Sequence, residues 1–116
     1  MNLQKKTELL TQHLQRLREN FEHGNPPENL RDKAFFLQVK EETTPIFELL
    51  GEWEEEALFA VKNRQINLHP QQIMSTKENM DLLIMHSYYK DLRKRRYMEY
   101  YKSIIYIFDQ TINDLE

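Results

Sequence analysis

At 116 residues and a net charge of −3, from 16 basic against 19 acidic side chains, the chain is sized for one domain with a real core, and its charge argues against a generic nucleic-acid wrapper. It has no cysteine and only two glycines, Gly24 and Gly51, which excludes disulfides, thiolate metal sites, thiol nucleophiles and a glycine-rich phosphate loop. The opening Met-Asn-Leu-Gln-Lys-Lys leads into an amphipathic pattern rather than a signal peptide, and no apolar run nears the ~20 residues of a membrane span, so a soluble cytoplasmic protein is expected.

Apolar residues recur at alternating three- and four-residue intervals in four stretches, the spacing that keeps one stripe of a helix against its neighbours. Leu3, Leu10, Leu14, Leu17 and Phe21 predict a first helix from about Leu3 to His23. Gly24 and the Asn25-Pro26-Pro27 turn should end it, because glycine takes a left-handed C-terminal conformation at little cost and proline cannot extend a helix. Glu8, Gln12, Gln15, Glu19 and Glu22 fall on its outward side.

Phe36, Val39, Ile46, Leu50, Trp53, Ala57 and Ala60 predict a second helix from near Leu30 to about Lys62, the longest of the four. Pro45 lies inside it, removes a backbone donor and collides with the carbonyl four residues earlier, so a kink or short break is expected near Thr43-Thr44. Val39 and Ile46 keep the same phase across the proline, which favours one kinked helix over two. Trp53 occupies mid-stripe and is expected to be buried, with its indole N–H on an acceptor.

Asn63 to His69 forms a connection, and Pro70 suits the first position of a third helix running to about Tyr89 with Ile73, Met80, Leu83, Ile84 and Ser87 inward. Gln72, Thr76 and Asn79 flank that stripe as a polar set suited to fixing register. Asp91 is the expected cap of a fourth helix carrying Tyr97, Tyr101, Ile104, Phe108, Ile112 and Leu115. Short connections make sequential helices antiparallel. The expected fold is all-α: residues 1–116 as a single-domain, antiparallel, up-down-up-down four-helix bundle.

A four-helix bundle invites the hypothesis of a carboxylate-bridged di-metal site, which needs inward glutamates and two Glu-x-x-His pairs. The residues three before His13, His23, His69 and His86 are Leu10, Asn20, Ile66 and Leu83, so the pairs are missing. Ser75, Ser87 and Ser103 have no histidine at an activating helical spacing, and most glutamates fall on outward faces. Neither a metal, a cofactor nor an enzymatic activity is expected.

Charge is unevenly distributed. Residues 41–56 hold seven glutamates and no basic residue, while Arg93, Lys94, Arg95 and Arg96 crowd the start of the fourth helix, where cations oppose the helix dipole. Glu19, Glu22, Glu28 and Asp32, expected at the same end of the bundle, offer compensation. The alternative is an anion or nucleic-acid contact with Tyr88, Tyr89 and Tyr97 interleaved for stacking. Helices three and four also carry apolar residues beyond their core stripes: Met74, Leu82, Met85 and Tyr89 on one, Tyr106 and Ile107 on the other. A second stripe suggests a partner surface.

Phe35-Phe36 with Val39-Lys40, Glu48-Leu49, Trp53, Ala57-Leu58 and Lys62, then His69, Gln72-Ile73, Asn79, Ser87-Tyr88 and Arg96-Tyr97, resemble the YppE-like family of small bacterial proteins. The resemblance covers roughly residues 34–116 and is most specific from His69 through Asn79; the first helix matches only in character. The family's pattern places a proline directly after the lysine, where this chain has Glu41 and delays proline to Pro45. The resemblance implies a four-helix bundle of unknown function, with no catalytic residues to carry over. The functional expectation is a non-enzymatic protein that binds an unidentified protein partner or itself through helices three and four. Anion or nucleic-acid binding at residues 93–96 is the alternative, and no membrane contact is expected.

Overall fold

Three of the four helices begin where a polar side chain satisfies an orphan backbone donor. Asn2 Oδ1 accepts from the Lys5 N–H at 2.8 Å and opens α1 (Leu3–His23). Asp32 Oδ1 accepts from the Phe35 N–H at 2.9 Å and opens α2 (Lys33–Lys62). At α3 (Pro70–Tyr89) the cap is reciprocal: His69 Nδ1 accepts from the Gln71 N–H, and Gln72 Oε1 reaches back to the His69 N–H at 2.8 Å. Only α4 (Lys94–Leu115) starts without a side-chain cap, at Arg93. The computed structural model describes all 116 residues.

Side-chain pairs fix the helix directions. Trp53 Nε1 donates to Thr7 Oγ1 at 3.0 Å while Lys6 pairs with Glu56, so α1 and α2 run antiparallel. Phe21 stacks on Tyr97 at 3.9 Å between ring centres while Arg18 lies over the Tyr101 ring, so α1 and α4 do too. The result is the up-down-up-down bundle. Its section is a rhombus: α1 and α3 meet along the short diagonal, and the α2–α4 diagonal is spanned by Trp53 edge-on to Phe108 at 5.2 Å. Trp53 is fully buried, as expected, and Thr7 supplies its acceptor.

Several expectations are corrected. The second helix starts at Lys33 rather than Leu30, because Asp32 caps it there; it then runs unbroken through Pro45. Gly24 is extended (φ −69°, ψ 153°), and the left-handed residues are Arg64 and Lys90. Glycine is needed at position 24 for close approach instead: a Cβ there would meet the Asn20 carbonyl oxygen at 2.5 Å. Asp91 does not cap α4 but pairs with His86 Nδ1. Gln72 is exposed as a cap residue, Thr76 is buried with its hydroxyl on the Gln72 carbonyl, and Asn79 is half-buried. In α4 the buried stripe is Tyr97, Ile104, Ile107, Phe108 and Thr111, with Tyr101 and Ile112 at its margin, because the helix is flanked by both α1 and α3. Ile66, in the connection to α3, is also buried in the core.

The most consequential correction concerns Phe36, whose spacing places it in the core but which is 51% exposed. At about 1.5 Å per residue, the 30 residues of α2 span roughly 45 Å, against about 30–33 Å for its neighbours. The Thr7–Trp53 and Lys6–Glu56 contacts hold the far end of α2 level with the start of α1. The surplus length therefore projects at the other end, and no residue of 33–38 is buried.

Candidate functional site

The overhang leaves a slot between α1 and the first half of α2. Below it the two helices close on each other through Leu10, Leu14, Leu50 and Trp53, all buried. Above, α2 presents Ala34, Gln38, Glu42 and Pro45, spaced four, four and three and hence on one face. The opposing face of α1 presents His13, Arg16 and Asn20. Leu17 and Ile46 also line the slot, but the other side chains facing the gap from the two helices are short or polar, and a cavity of about 790 Å³ results. Pro26 and Pro27 roof it, and Phe35 and Tyr88 contribute aromatic walls.

The roof is tied to the bundle at two points. Asn20 Nδ2 donates to the Ser87 carbonyl at 2.8 Å, and Lys90 Nζ donates to the Gly24 carbonyl at 2.7 Å. The left-handed backbone of Lys90 ends α3 and turns the chain toward α4. Both ties join the α1 terminus to the α3 terminus, and neither involves α2.

Titration behaviour in the slot follows from burial. Tyr88 is pushed up to about 12, first by burial and then by the neighbouring Glu42 carboxylate, with Arg16 pulling the other way. The phenol therefore stands between opposite charges from the two walls. Burial, and next the Arg16 charge, lower the His13 pKa and keep the imidazole neutral, so its Nδ1 accepts from the Arg16 guanidinium. Arg16 makes no ion pair with any carboxylate, and neither does Glu42 with any cation.

The residues expected to form a partner surface on α3 and α4 do not form one patch. Ile107 is buried, because α3 covers that flank of α4. Tyr89 is half-buried and meets Phe35 edge-on at 5.2 Å. Met85 is half-buried as well, leaving Met74 and Leu82 exposed on the outer face of α3. Tyr106, 64% exposed, lies away from them beside Gln71, Ser75 and Asn79 in a shallow groove of about 230 Å³.

The basic cluster is compensated mainly from within its own helix. Arg95 and Arg96 share Glu99 at 3.8 and 3.7 Å, and Arg96 also lies over the Tyr100 ring. Lys94 is near enough to Glu22 to help lower its pKa, after the larger effect of the Arg18 hydrogen bond. Glu19, Glu28 and Asp32 pair with none of the four, and Arg93 and Lys94 make no ion pair. No group of three or more His, Asp or Glu side chains is placed to share a metal ion, and no helix is long and apolar enough to cross a membrane.

Residues 7–115 match the model of a bacterial domain of unknown function, DUF1798. The chain belongs to this family. The DUF1798 match reaches back into α1, beyond the 34–116 stretch that carries the YppE-like residues. A crystal structure of protein yppE from Bacillus subtilis shares the fold with a TM-score of 0.84 at 23% identity, covering 99% of this chain and 96% of that one. A solution NMR structure of protein yppE from Bacillus subtilis gives 0.77 at 23% identity, over 97% and 91% of the two chains. No curated protein matches the chain. At this identity the two yppE structures establish the fold, and the DUF1798 description assigns no function.

Sequence reading missed the slot. Its one available signal was the coincidence of Pro26, Pro27 and Pro45 with the short or polar side chains Ala34, Gln38 and Glu42 on a single face of α2.

Proposed function

We propose that the chain is a non-enzymatic binding module of the cytoplasm that acts by docking another protein, either a different chain or a second copy of itself. The observation that carries this reading is the overhang of α2. Leu30, just before α2, and Phe36 and Leu37 in its first turns are 41%, 51% and 51% exposed within a single stretch. A fully buried side chain of this size contributes roughly 1.5–3 kcal/mol, so about half of that is left unused at each. A cluster of such residues at one end of a small protein is the pattern of a contact surface. Met74 and Leu82 on the outer face of α3 offer a second, smaller apolar stretch.

The test is site-specific photo-crosslinking in a lysate of the source bacterium, with the reactive residue at Phe36, Met74 or Tyr106. A discrete adduct from position 36, diminished by Leu37→Ser, supports the reading. Adducts from position 106 alone, or none from any position, contradict it. Arg93 and Lys94, which lack ion pairs, support the alternative of anion or nucleic-acid binding at residues 93–96. Salt-sensitive binding of single-stranded or duplex nucleic acid would select that reading instead.

A further inference from the structure

The slot between α1 and the first half of α2 has the size of a small-molecule site, and its charges do not satisfy one another. Arg16 stands on the α1 wall with a neutral imidazole as its hydrogen-bond partner, so its positive charge is oriented but not compensated. Glu42 stands on the α2 wall beside the Tyr88 phenol, which is itself neutral. The two charges line one cavity without forming an ion pair.

Opposite charges that face a common space and do not touch are complementary to a ligand carrying both signs. The rest of the lining fits the remainder of such a ligand. Phe35, Pro26 and Pro27 give an apolar roof and wall, and proline presents no N–H that would need solvation. On the α2 side, Pro45 lines the slot beside Glu42 and likewise presents no N–H. Asp32, the other acid in the lining, is engaged in capping α2.

We propose that this slot binds a zwitterionic amino compound, an amino acid or short peptide, with its carboxylate on Arg16 and its ammonium group between Glu42 and the Tyr88 hydroxyl. The slot uses the Ala34, Phe35 and Gln38 face of the same turns of α2 whose other face carries Phe36 and Leu37, so it is tested through Arg16 and Glu42, which the docking proposal does not involve. Arg16 can hold the carboxylate through two parallel N–H bonds, and the Glu42 carboxylate accepts from the ammonium. The apolar stretch between the two charged groups packs under Pro26 and Pro27.

The probe is ε-aminocaproate, which separates an ammonium from a carboxylate by five methylenes, titrated against the whole chain and followed by amide resonances. The expected result is saturable shifts at Arg16, Asn20, Phe35 and Tyr88. Hexanoate and hexylamine, each carrying one of the two charges, should bind about tenfold or more weakly, the loss of one charge-assisted contact. Arg16→Gln and Glu42→Gln should each weaken ε-aminocaproate binding by a similar factor, and both side chains are exposed, so the fold survives the substitution. Three results would overturn the proposal: no shifts in the slot, equal binding of hexanoate or hexylamine, or undiminished binding in either variant. An Arg16–Glu42 ion pair in solution, seen as an Arg16 side-chain resonance that moves with Glu42→Gln and not with ligand, would also overturn it.

Discussion

Replacing Trp53 by alanine should be the most damaging single truncation in the bundle. The indole is fully buried, meets Phe108 edge-on at 5.2 Å across the α2–α4 diagonal, and donates to Thr7 Oγ1 at 3.0 Å. Large aromatic truncations cost ~3–5 kcal/mol, and the aromatic contact places this one toward the upper end. The hydrogen bond can be weighed separately, because Thr7 Oγ1 also donates to the Leu3 carbonyl at 2.8 Å. In Trp53→Phe the threonine hydroxyl keeps that partner, so no buried donor is stranded. In Thr7→Val the indole N–H loses its acceptor, at a cost of about 1–3 kcal/mol. A double-mutant cycle of the two, read by urea unfolding and far-ultraviolet circular dichroism, should give a coupling of about 1 kcal/mol. Trp53→Ala costing less than about 1 kcal/mol, or a coupling of zero, would refute this packing.

The two glycines should respond in opposite senses to alanine. Gly51, within α2, has open space where a Cβ would stand, so Gly51→Ala should stabilise by about 0.5–1 kcal/mol, whereas Gly24→Ala collides with Asn20 and should cost about 1–3 kcal/mol; thermal melts check both. Tyr88 and Tyr97 are each pushed up to about 12, chiefly by burial, so the fold favours the neutral phenols; that stability is complete below the ordinary value of 10.0 and is lost as pH rises from there through about 12. An alkaline titration followed by phenolate absorbance should show the late tyrosines ionising with unfolding, and Tyr97→Phe, which leaves Ser87 Oγ on the Leu83 carbonyl, should cost only about 1 kcal/mol at neutral pH. Neutralising Arg95 and Arg96 together should leave the melting curve nearly unchanged, since their shared partner Glu99 is exposed, and should reveal no nucleic-acid affinity at physiological ionic strength to lose.

The bundle was legible because helical periodicity reports which residues must face a core, and α1 and α3 were bounded correctly by Gly24-Asn25-Pro26 and His69-Pro70. Periodicity does not report how long the neighbouring helices are. Phe36 has the right spacing for the core, yet it lies in the first turns of α2, where Tyr89 at the end of α3 packs on Phe35 instead and no residue of 33–38 is buried. Ile107 shows the reverse failure: it lies outside a single stripe, but α4 is covered on two flanks, so a wider arc is buried. The Asp91 cap failed for a local reason, since its carboxylate is taken by His86 and Lys90 turns the chain before α4 begins. The slot was illegible because it depends on α1 and α2 standing apart, a relation between helices that no stretch of sequence encodes by itself.

The overhanging turns of α2 are proposed to be exposed for contact rather than for folding. Phe36→Ser with Leu37→Ser tests this most directly, by melting the double variant and repeating the cross-linking with the reactive residue at Leu30. The predicted result is a melting temperature close to that of the parent, with loss of the adduct formed by an otherwise unaltered chain. A fall in stability of several kcal/mol, the cost of truncating core residues, or an adduct that persists undiminished, would contradict it.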